Sequence, residues 1–247
     1  ARYLPDFLRS AQCERLYLVG DIIDFENLQK RPFWHAIHGE VVTEILAISA
    51  RGTKVTYIPG NHDAMLRRFA GQRFAGVEIA LDAVHVGPDG RRYRVSHGDE
   101  HDRTSSAPKW LLVLGDVLQG FICGLNRRYN GVMRRIGLRY RPLSIFIKTH
   151  IPTAHRFIRD FEARVAEAAR ADGFDGHICG HIHYGRIAER DGFVYINDGD
   201  WVEHCTALVE HADGAFELLH WTERQRTLAV QRGGEGGDNE LPLPVAA

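Results

Sequence analysis

The chain contains little cysteine, with four residues in 247 and no C-x-x-C spacing. A disulfide framework or a cysteine-based zinc site needs denser spacing, so the cysteines are predicted to be small buried apolar side chains. No signal-peptide pattern is visible in the sequence, and no run of about 18 apolar residues that could span a membrane. Its 44% hydrophobic content suits the core of one α/β domain, with room for an inserted subdomain.

Positive and negative charges nearly cancel over the whole chain, but they are unevenly distributed along the sequence. The 31 Lys and Arg and the 32 Asp and Glu give a formal net charge of −1. Residues 103–159 carry eleven Lys or Arg and one acid, Asp116, so this segment is +10 and the rest of the chain is −11. Segregation of this kind predicts an anionic partner for the basic segment.

Polar side chains follow five predicted strands, each at the point where an apolar run ends. The motifs are G-D-x-x-D at 20–24, G-N-H-D at 60–63, H-G-D at 97–99, G-H-x-H at 180–183 and N-D-G-D at 197–200. Ligands of open α/β sheets bind beyond the carboxyl ends of the strands, so five such ends indicate a site rather than five unrelated turns. Imidazoles beside carboxylates are typical ligands of Mn, Fe or Zn ions.

Phosphate ester hydrolysis is one reaction that such a ligand set serves. The negative charge of the ester repels hydroxide, and two cations about 3.5–4 Å apart hold the water nucleophile and the phosphate oxygens together. Asp21 is the candidate carboxylate to bridge two metals. Asn61 offers a neutral amide oxygen, which leaves the positive charge of the site intact.

The first four motifs, in this order, resemble those of the calcineurin-like metallophosphoesterases. The resemblance implies an α/β fold, a two-sheet sandwich with an inserted helical lid, in which strand-end loops hold two divalent metals. Mn²⁺ is the favoured metal, with Fe and Zn as alternatives. By position in the family motifs, the expected metal ligands are Asp21, Asn61, His97, His181 and His183.

The resemblance also assigns roles around these ligands. Asp21 is expected in both metal sites, and His62 resembles the imidazole beside the leaving group, so these two are the predicted catalytic residues. Asp24, Asp63 and Asp99 are expected to orient the ligands, with helix capping or turn formation as the alternative. The family's D-x-H motif has no counterpart before Asp21. We expect it upstream of Ala1, and without it a non-catalytic binding module is the rival hypothesis.

The basic segment 103–159 combines an apolar face, from Leu111 to Leu125, with arginines that follow it. A packed helical hairpin, a lid at an anionic membrane surface and a nucleic-acid groove are the three hypotheses. Apolar helices flanked by arginine favour the membrane surface, whereas a nucleic-acid groove would carry more polar and aromatic residues. The predicted substrate contacts are Arg127, Arg128, Arg134 and Arg135.

A lid at this place resembles the UDP-2,3-diacylglucosamine pyrophosphatases of lipid A synthesis, with similarity from about residue 3 to residue 221. The resemblance implies hydrolysis of this lipid-linked nucleotide to UMP and 2,3-diacylglucosamine 1-phosphate. It implies a cytoplasmic enzyme at the anionic surface of the bacterial inner membrane, with no nucleic-acid partner. His62 stands where this group often has Arg, so a soluble phosphodiesterase is the alternative. Residues 222–247 are predicted to be a flexible tail after a domain of residues 1–221.

Overall fold

The computed structural model describes residues 3–102, 152–202, 204–221 and 226–231. These residues fall into two compact units, which divide between Glu100 and His101 and again between Arg164 and Val165. The unit with residues up to Glu100 and from Val165 onward contains all five strand-end motifs. Residues 103–151 of the predicted lid, which include the four arginines, lie outside the described residues. These arginines are Arg127, Arg128, Arg134 and Arg135.

Helices and strands alternate over residues 3–58, as in other α/β folds. The described helices are α1 (Tyr3–Ser10), α2 (Phe25–Lys30), α3 (Ala36–Ala50) and α4 (Pro152–Ala171), with short 3₁₀ helices η1 (Ala64–Phe69) and η2 (Asp99–His101). The first six strands are β1 (Arg15–Val19), β2 (Lys54–Ile58), β3 (Arg73–Phe74), β4 (Val77–Ile79), β5 (Ala83–Val86) and β6 (Arg92–Val95). The others are β7 (Gly176–Cys179), β8 (Arg186–Arg190), β9 (Phe193–Asn197), β10 (Thr206–Glu210), β11 (Phe216–His220) and β12 (Arg226–Gln231).

The first sheet has the order β1-β2-β4-β3, with β1, β2 and β4 parallel. Helices α1 and α3 cover it, because each presents a buried apolar stripe: Leu4 and Leu8 in α1, and Val41, Ile45 and Ile48 in α3. These side chains form one cluster with residues of β1, β2 and β4. The register pairs Val19 with Ile58, so β1 and β2 end side by side.

The second sheet has the order β5-β6-β7-β9-β8, and its central strands β6, β7 and β9 are parallel. Every residue of β7 and of β9 is buried, as expected for parallel strands covered on both faces. Val165 and Ala169 of α4 are fully buried, which is the stripe expected from the amphipathic sequence of this helix. The β5–β6 hairpin turns at the predicted Pro88-Asp89-Gly90 segment.

The structure adds two features that the sequence analysis did not predict. An antiparallel sheet of order β10-β11-β12 stands beside the two expected sheets, and β12 lies inside the segment predicted to be a flexible tail. Residues 226–231 pair with β11 through a register shift, so the tail prediction is corrected over this range. Cys179 and Cys205 are buried as predicted, but Cys13 is exposed. Among the described residues, no helix is both long and apolar enough to cross a membrane.

Candidate metal centre

The predicted ligand loops lie at the carboxyl ends of parallel strands. Asp21 follows β1 and Asn61 follows β2, whose last residues are register partners. His97 follows β6 and His181 follows β7, which pair in parallel with Val95 opposite Ile178. Each loop therefore begins where its strand leaves the sheet, which is the edge at which α/β folds bind ligands.

Donor atoms of three predicted ligands meet at the His97 ring. His97 Nε2 lies 3.2 Å from Asn61 Oδ1 and 3.3 Å from Asp21 Oδ2. The other ring nitrogen, Nδ1, lies 3.1 Å from the carbonyl oxygen of Val19. A histidine that ligates a metal through one nitrogen commonly donates from the other to a carbonyl, which fixes the ring. This arrangement therefore suits metal binding through Nε2.

The electrostatics of His97 and Asp21 reflect this proximity. Burial lowers the pKa of His97, whose side chain is 3% exposed, but the hydrogen bond with Asp21 and the charge of Asp21 outweigh burial and raise it. Burial raises the pKa of Asp21, but His97 and the backbone N–H of His62 outweigh that effect and lower it to about 2. The carboxylate is thus ionised at neutral pH, as a metal ligand must be.

Backbone conformation also distinguishes the ligand loops. Six non-glycine residues among those described have positive φ, and three of them are predicted ligands: Asp21 (54°), His181 (67°) and His183 (51°). The left-handed region is uncommon for residues with a Cβ, and such residues concentrate at functional sites. The His181 ring lies 5.2 Å, centroid to centroid, from the ring of His97, which places a second imidazole beside the three converging donors.

Two positions beside the His97 ring are glycine, because a side chain at either would collide with the ligands. A Cβ on Gly60 would lie 2.8 Å from His97 Nε2, and a Cβ on Gly20, where φ is 76°, would overlap the His97 ring. Both glycines, that of G-D-x-x-D and that of G-N-H-D, are therefore required by the close approach of the ligands. The donor set, the ionised carboxylate and this cradle together fit a divalent metal of the Mn, Fe or Zn kind.

His62 is placed by two acids of the G-D-x-x-D loop. Its backbone N–H donates to Asp21 Oδ1 at 2.9 Å, and its ring Nδ1 lies 3.2 Å from Asp24 Oδ1. Asp24 also caps α2 by accepting from the N–H of Asn27. The side chain of His62 is 43% exposed, so the imidazole stands beside the ligand loops with access to solvent.

Asp63 connects the first two ligand loops from inside the protein. Its buried carboxylate accepts from the backbone N–H of Gly60 at 2.5 Å and from that of Ile22 at 3.1 Å. The hydroxyl of Tyr57, a residue of β2, donates to the same carboxylate at 2.5 Å. Ile22 adjoins Asp21, and Gly60 adjoins Asn61, so one carboxylate fixes the backbone next to two predicted ligands.

Several residues that hold the ligand loops in place were given no role from the sequence. Asn197, fully buried at the end of β9, donates to the carbonyl of Gly180 at 2.5 Å and so holds the loop of His181. Arg67 joins Asp99 to the carbonyl of Pro59. The N-D-G-D motif itself was a visible signal for Asn197. For Arg67 and Tyr57 the sequence carried no signal, because their partners become neighbours only through the fold.

Comparison with known proteins decides the family. The family model described as calcineurin-like phosphoesterase matches residues 2–185, which is most of the chain and contains the first four motifs. The chain belongs to the calcineurin-like phosphoesterases. It is therefore a hydrolase, and the predicted fold class is confirmed for the core. The individual roles given above to the site residues stay predictions.

This phosphoesterase has curated relatives of similar length. It is 31% identical over 230 residues to a UDP-2,3-diacylglucosamine hydrolase of Aliivibrio fischeri, covering 86% of this chain and 88% of the relative. It is 26% identical over 239 residues to an enzyme of the same name from Neisseria meningitidis serogroup B, covering 85% and 86%.

Solved structures show more distant similarity. Vacuolar Protein Sorting 29 from Cryptosporidium parvum aligns at 12% identity and a TM-score of 0.43, covering 94% of this chain and 87% of that one. An archaeal phosphodiesterase aligns at 14% identity and a TM-score of 0.35, covering 87% and 99%.

Proposed function

We propose that this phosphoesterase hydrolyses the pyrophosphate bond of UDP-2,3-diacylglucosamine, giving UMP and 2,3-diacylglucosamine 1-phosphate. The observation that carries the proposal is the convergence of Asp21, Asn61 and His97 in a chain whose curated relatives bear this activity in their names. Bound divalent metals would supply the positive charge that holds the phosphate oxygens and the water nucleophile.

The predicted ligands would be divided between the two metal sites. Asp21, whose low pKa keeps it ionised, would be the ligand shared by both metals. Asn61, His97 and His181 would complete one metal site, and His183 would serve the other. Mn²⁺ is the proposed metal, with Fe and Zn as alternatives, because carboxylate, amide and imidazole ligands occur together in this set.

His62 would act on the leaving group. Asp24 fixes the ring through Nδ1, and the backbone N–H of His62 is tied to Asp21, so the imidazole is held relative to the metals. A histidine in this position would donate a proton to the departing phosphate oxygen or stabilise its charge. The partial exposure of His62 leaves room for a substrate to reach it.

The membrane contact of the proposal rests on the sequence of the insert. We place the apolar face from Leu111 to Leu125 against acyl chains or the bilayer, and the arginines against anionic head groups. Each arginine near an anionic surface contributes about 1 kcal/mol, and salt screens the contribution. An enzyme with this lipid substrate would therefore act from the cytoplasmic face of the membrane.

One assay tests the substrate. The protein, loaded with Mn²⁺, is given UDP-2,3-diacylglucosamine in detergent micelles and, separately, a soluble phosphodiester such as bis-p-nitrophenyl phosphate. We expect UMP release from the lipid nucleotide at a far higher kcat/KM than hydrolysis of the soluble ester. Comparable or higher turnover of the soluble ester would favour the soluble phosphodiesterase, for which the presence of His62 instead of Arg is the supporting observation.

A second assay tests the insert. Changing Arg127, Arg128, Arg134 and Arg135 together to Ser should weaken binding to anionic vesicles by several kcal/mol at low salt, at about 1 kcal/mol for each arginine. Turnover of the soluble ester should be unchanged, because the described ligands all lie outside the insert. Unchanged vesicle binding and lipid turnover in this variant would refute the membrane contact.

A further inference from the structure

Arg67 lies on η1, directly after the G-N-H-D motif, and its guanidinium contacts two other segments. Nη2 donates to Oδ1 and Oδ2 of Asp99, at 2.7 and 2.8 Å. Nε and Nη2 donate to the carbonyl oxygen of Pro59, at 3.3 and 3.2 Å. Pro59 lies two residues before Asn61, and Asp99 lies two residues after His97, so the contacts join the loops of two predicted ligands.

These contacts are partly shielded from solvent. The Asp99 side chain is 18% exposed and the Arg67 side chain 36%, while Pro59 is buried. Hydrogen bonds between charged groups are about twice as strong as neutral ones. The planar guanidinium holds its partners in a fixed relative orientation, which the flexible ammonium group of lysine does not reproduce.

We propose that Arg67 is a positioning residue that sets the separation of Asn61 and His97 by tying the G-N-H-D loop to the H-G-D loop. The inference rests on the proposed function in one respect, namely that Asn61 and His97 bind the same metal. Arg67 itself touches neither the metal nor the substrate in this role. Partners that orient metal ligands typically account for about 10- to 100-fold in metal affinity.

A different explanation for Arg67 is a general attraction of anionic substrates. That role would be shared by Arg68, the next residue of the same 3₁₀ helix, which is exposed to solvent. Arg68→Met removes the same charge from the same short helix without touching the contacts to Asp99 or Pro59. It is therefore the matched control for Arg67→Met.

The test measures metal affinity in the full chain, not only activity. Mn²⁺ is titrated calorimetrically into metal-free wild type, Arg67→Met, Arg67→Lys and Arg68→Met, and the thermal unfolding of each metal-free protein is followed by circular dichroism. We expect Arg67→Met and Arg67→Lys to bind Mn²⁺ at the site of Asn61 and His97 about 10- to 100-fold more weakly. Arg68→Met should bind like wild type, and Arg67→Lys should unfold near the wild-type temperature.

Three results would overturn the positioning role. They are Mn²⁺ affinity within about two-fold of wild type in Arg67→Lys, an equal loss in Arg68→Met, and no Mn²⁺ binding by wild type. If Arg67→Met does not fold, Arg67→Lys and Asp99→Asn carry the same comparison. The proposed function fails separately: wild type that binds Mn²⁺ and shows the predicted variant losses, but does not hydrolyse the lipid nucleotide, refutes the substrate and leaves the role of Arg67 standing.

Discussion

Replacing Asp63 by Asn should loosen both of the first two ligand loops while leaving the shape of the side chain intact. Oδ1 of Asp63 accepts from the N–H of Gly60, while Oδ2 accepts from the N–H of Ile22 and the hydroxyl of Tyr57. An amide keeps one acceptor oxygen, so its NH₂ group must face a backbone N–H, either that of Gly60 or that of Ile22, as a second donor. Asp63 is 0% exposed, so water cannot replace the lost acceptor.

The cost follows from these contacts. A hydrogen bond to a charged group contributes about 1.5–3 kcal/mol to stability, and the retained hydrogen bonds weaken when the charge is removed. We therefore expect Asp63→Asn to lower the free energy of unfolding of the metal-free protein by about 2–4 kcal/mol. Mn²⁺ affinity should fall as well, because Asp21 and Asn61 adjoin the released backbone groups.

Urea denaturation of the metal-free protein, followed by circular dichroism, measures the first effect, and calorimetric Mn²⁺ titration measures the second. Asp175→Asn is the control, since Asp175 is exposed and accepts from one backbone N–H, that of Arg92. It should cost less than about 1 kcal/mol. A loss below about 0.5 kcal/mol in Asp63→Asn, together with wild-type Mn²⁺ affinity, would refute the account of Asp63.

Three further predictions concern Asp21, His62 and Asp198. Asp21→Ala should abolish turnover and reduce metal content at both sites in elemental analysis, and two retained metals would remove Asp21 from the bridge. His62→Ala should keep its metals but lose about 10²- to 10⁴-fold in kcat, with part of the loss recovered by a better leaving group; an equal loss for good and poor leaving groups would contradict the leaving-group role. Burial raises the pKa of Asp198 to about 7, whereas an aspartate in an unfolded chain has a pKa of about 3.9. Between these two values the native state binds a proton that the unfolded state has lost. The free energy of unfolding should therefore fall as pH rises from about 4 to 7. Asp198→Asn should remove that slope, worth up to about 4 kcal/mol, in urea titrations of the metal-free protein, whereas an unchanged slope would assign it to other groups.

The sequence predicted strand ends and candidate ligands best where they form short motifs. The strand before each motif is apolar and the residues after it are polar, so both the ends of β1, β2, β6 and β7 and the predicted ligands could be located. Local chemistry sufficed there because a strand end and its first loop residues are adjacent in the chain. The assignment of Asn61 and His97, 36 residues apart, to one metal followed only from family resemblance, and the structure supplies the geometry of their contact.

Other features could not be predicted, for physical reasons that differ. The contact between Arg67 and Asp99 depends on two sheets coming together, and no periodicity in the sequence encodes it. Strand β12 was not predicted because the short alternating stretch R-T-L-A-V-Q precedes a Gly-rich segment. Whether such a stretch forms a strand depends on tertiary contacts, here its pairing with β11. Asp24 was predicted either to orient the metal ligands or to cap a helix. The structure shows it capping α2 and contacting His62, which is a predicted catalytic residue and not a predicted ligand.

The most direct test of the metal centre is crystallography of the Mn²⁺-loaded protein with anomalous diffraction. The account predicts an anomalous peak within bonding distance of the Asp21 carboxylate, the Asn61 amide oxygen and Nε2 of His97, with His181 as the next ligand. An anomalous peak that none of these four side chains contacts, in crystals of protein shown to bind Mn²⁺ in solution, would contradict it.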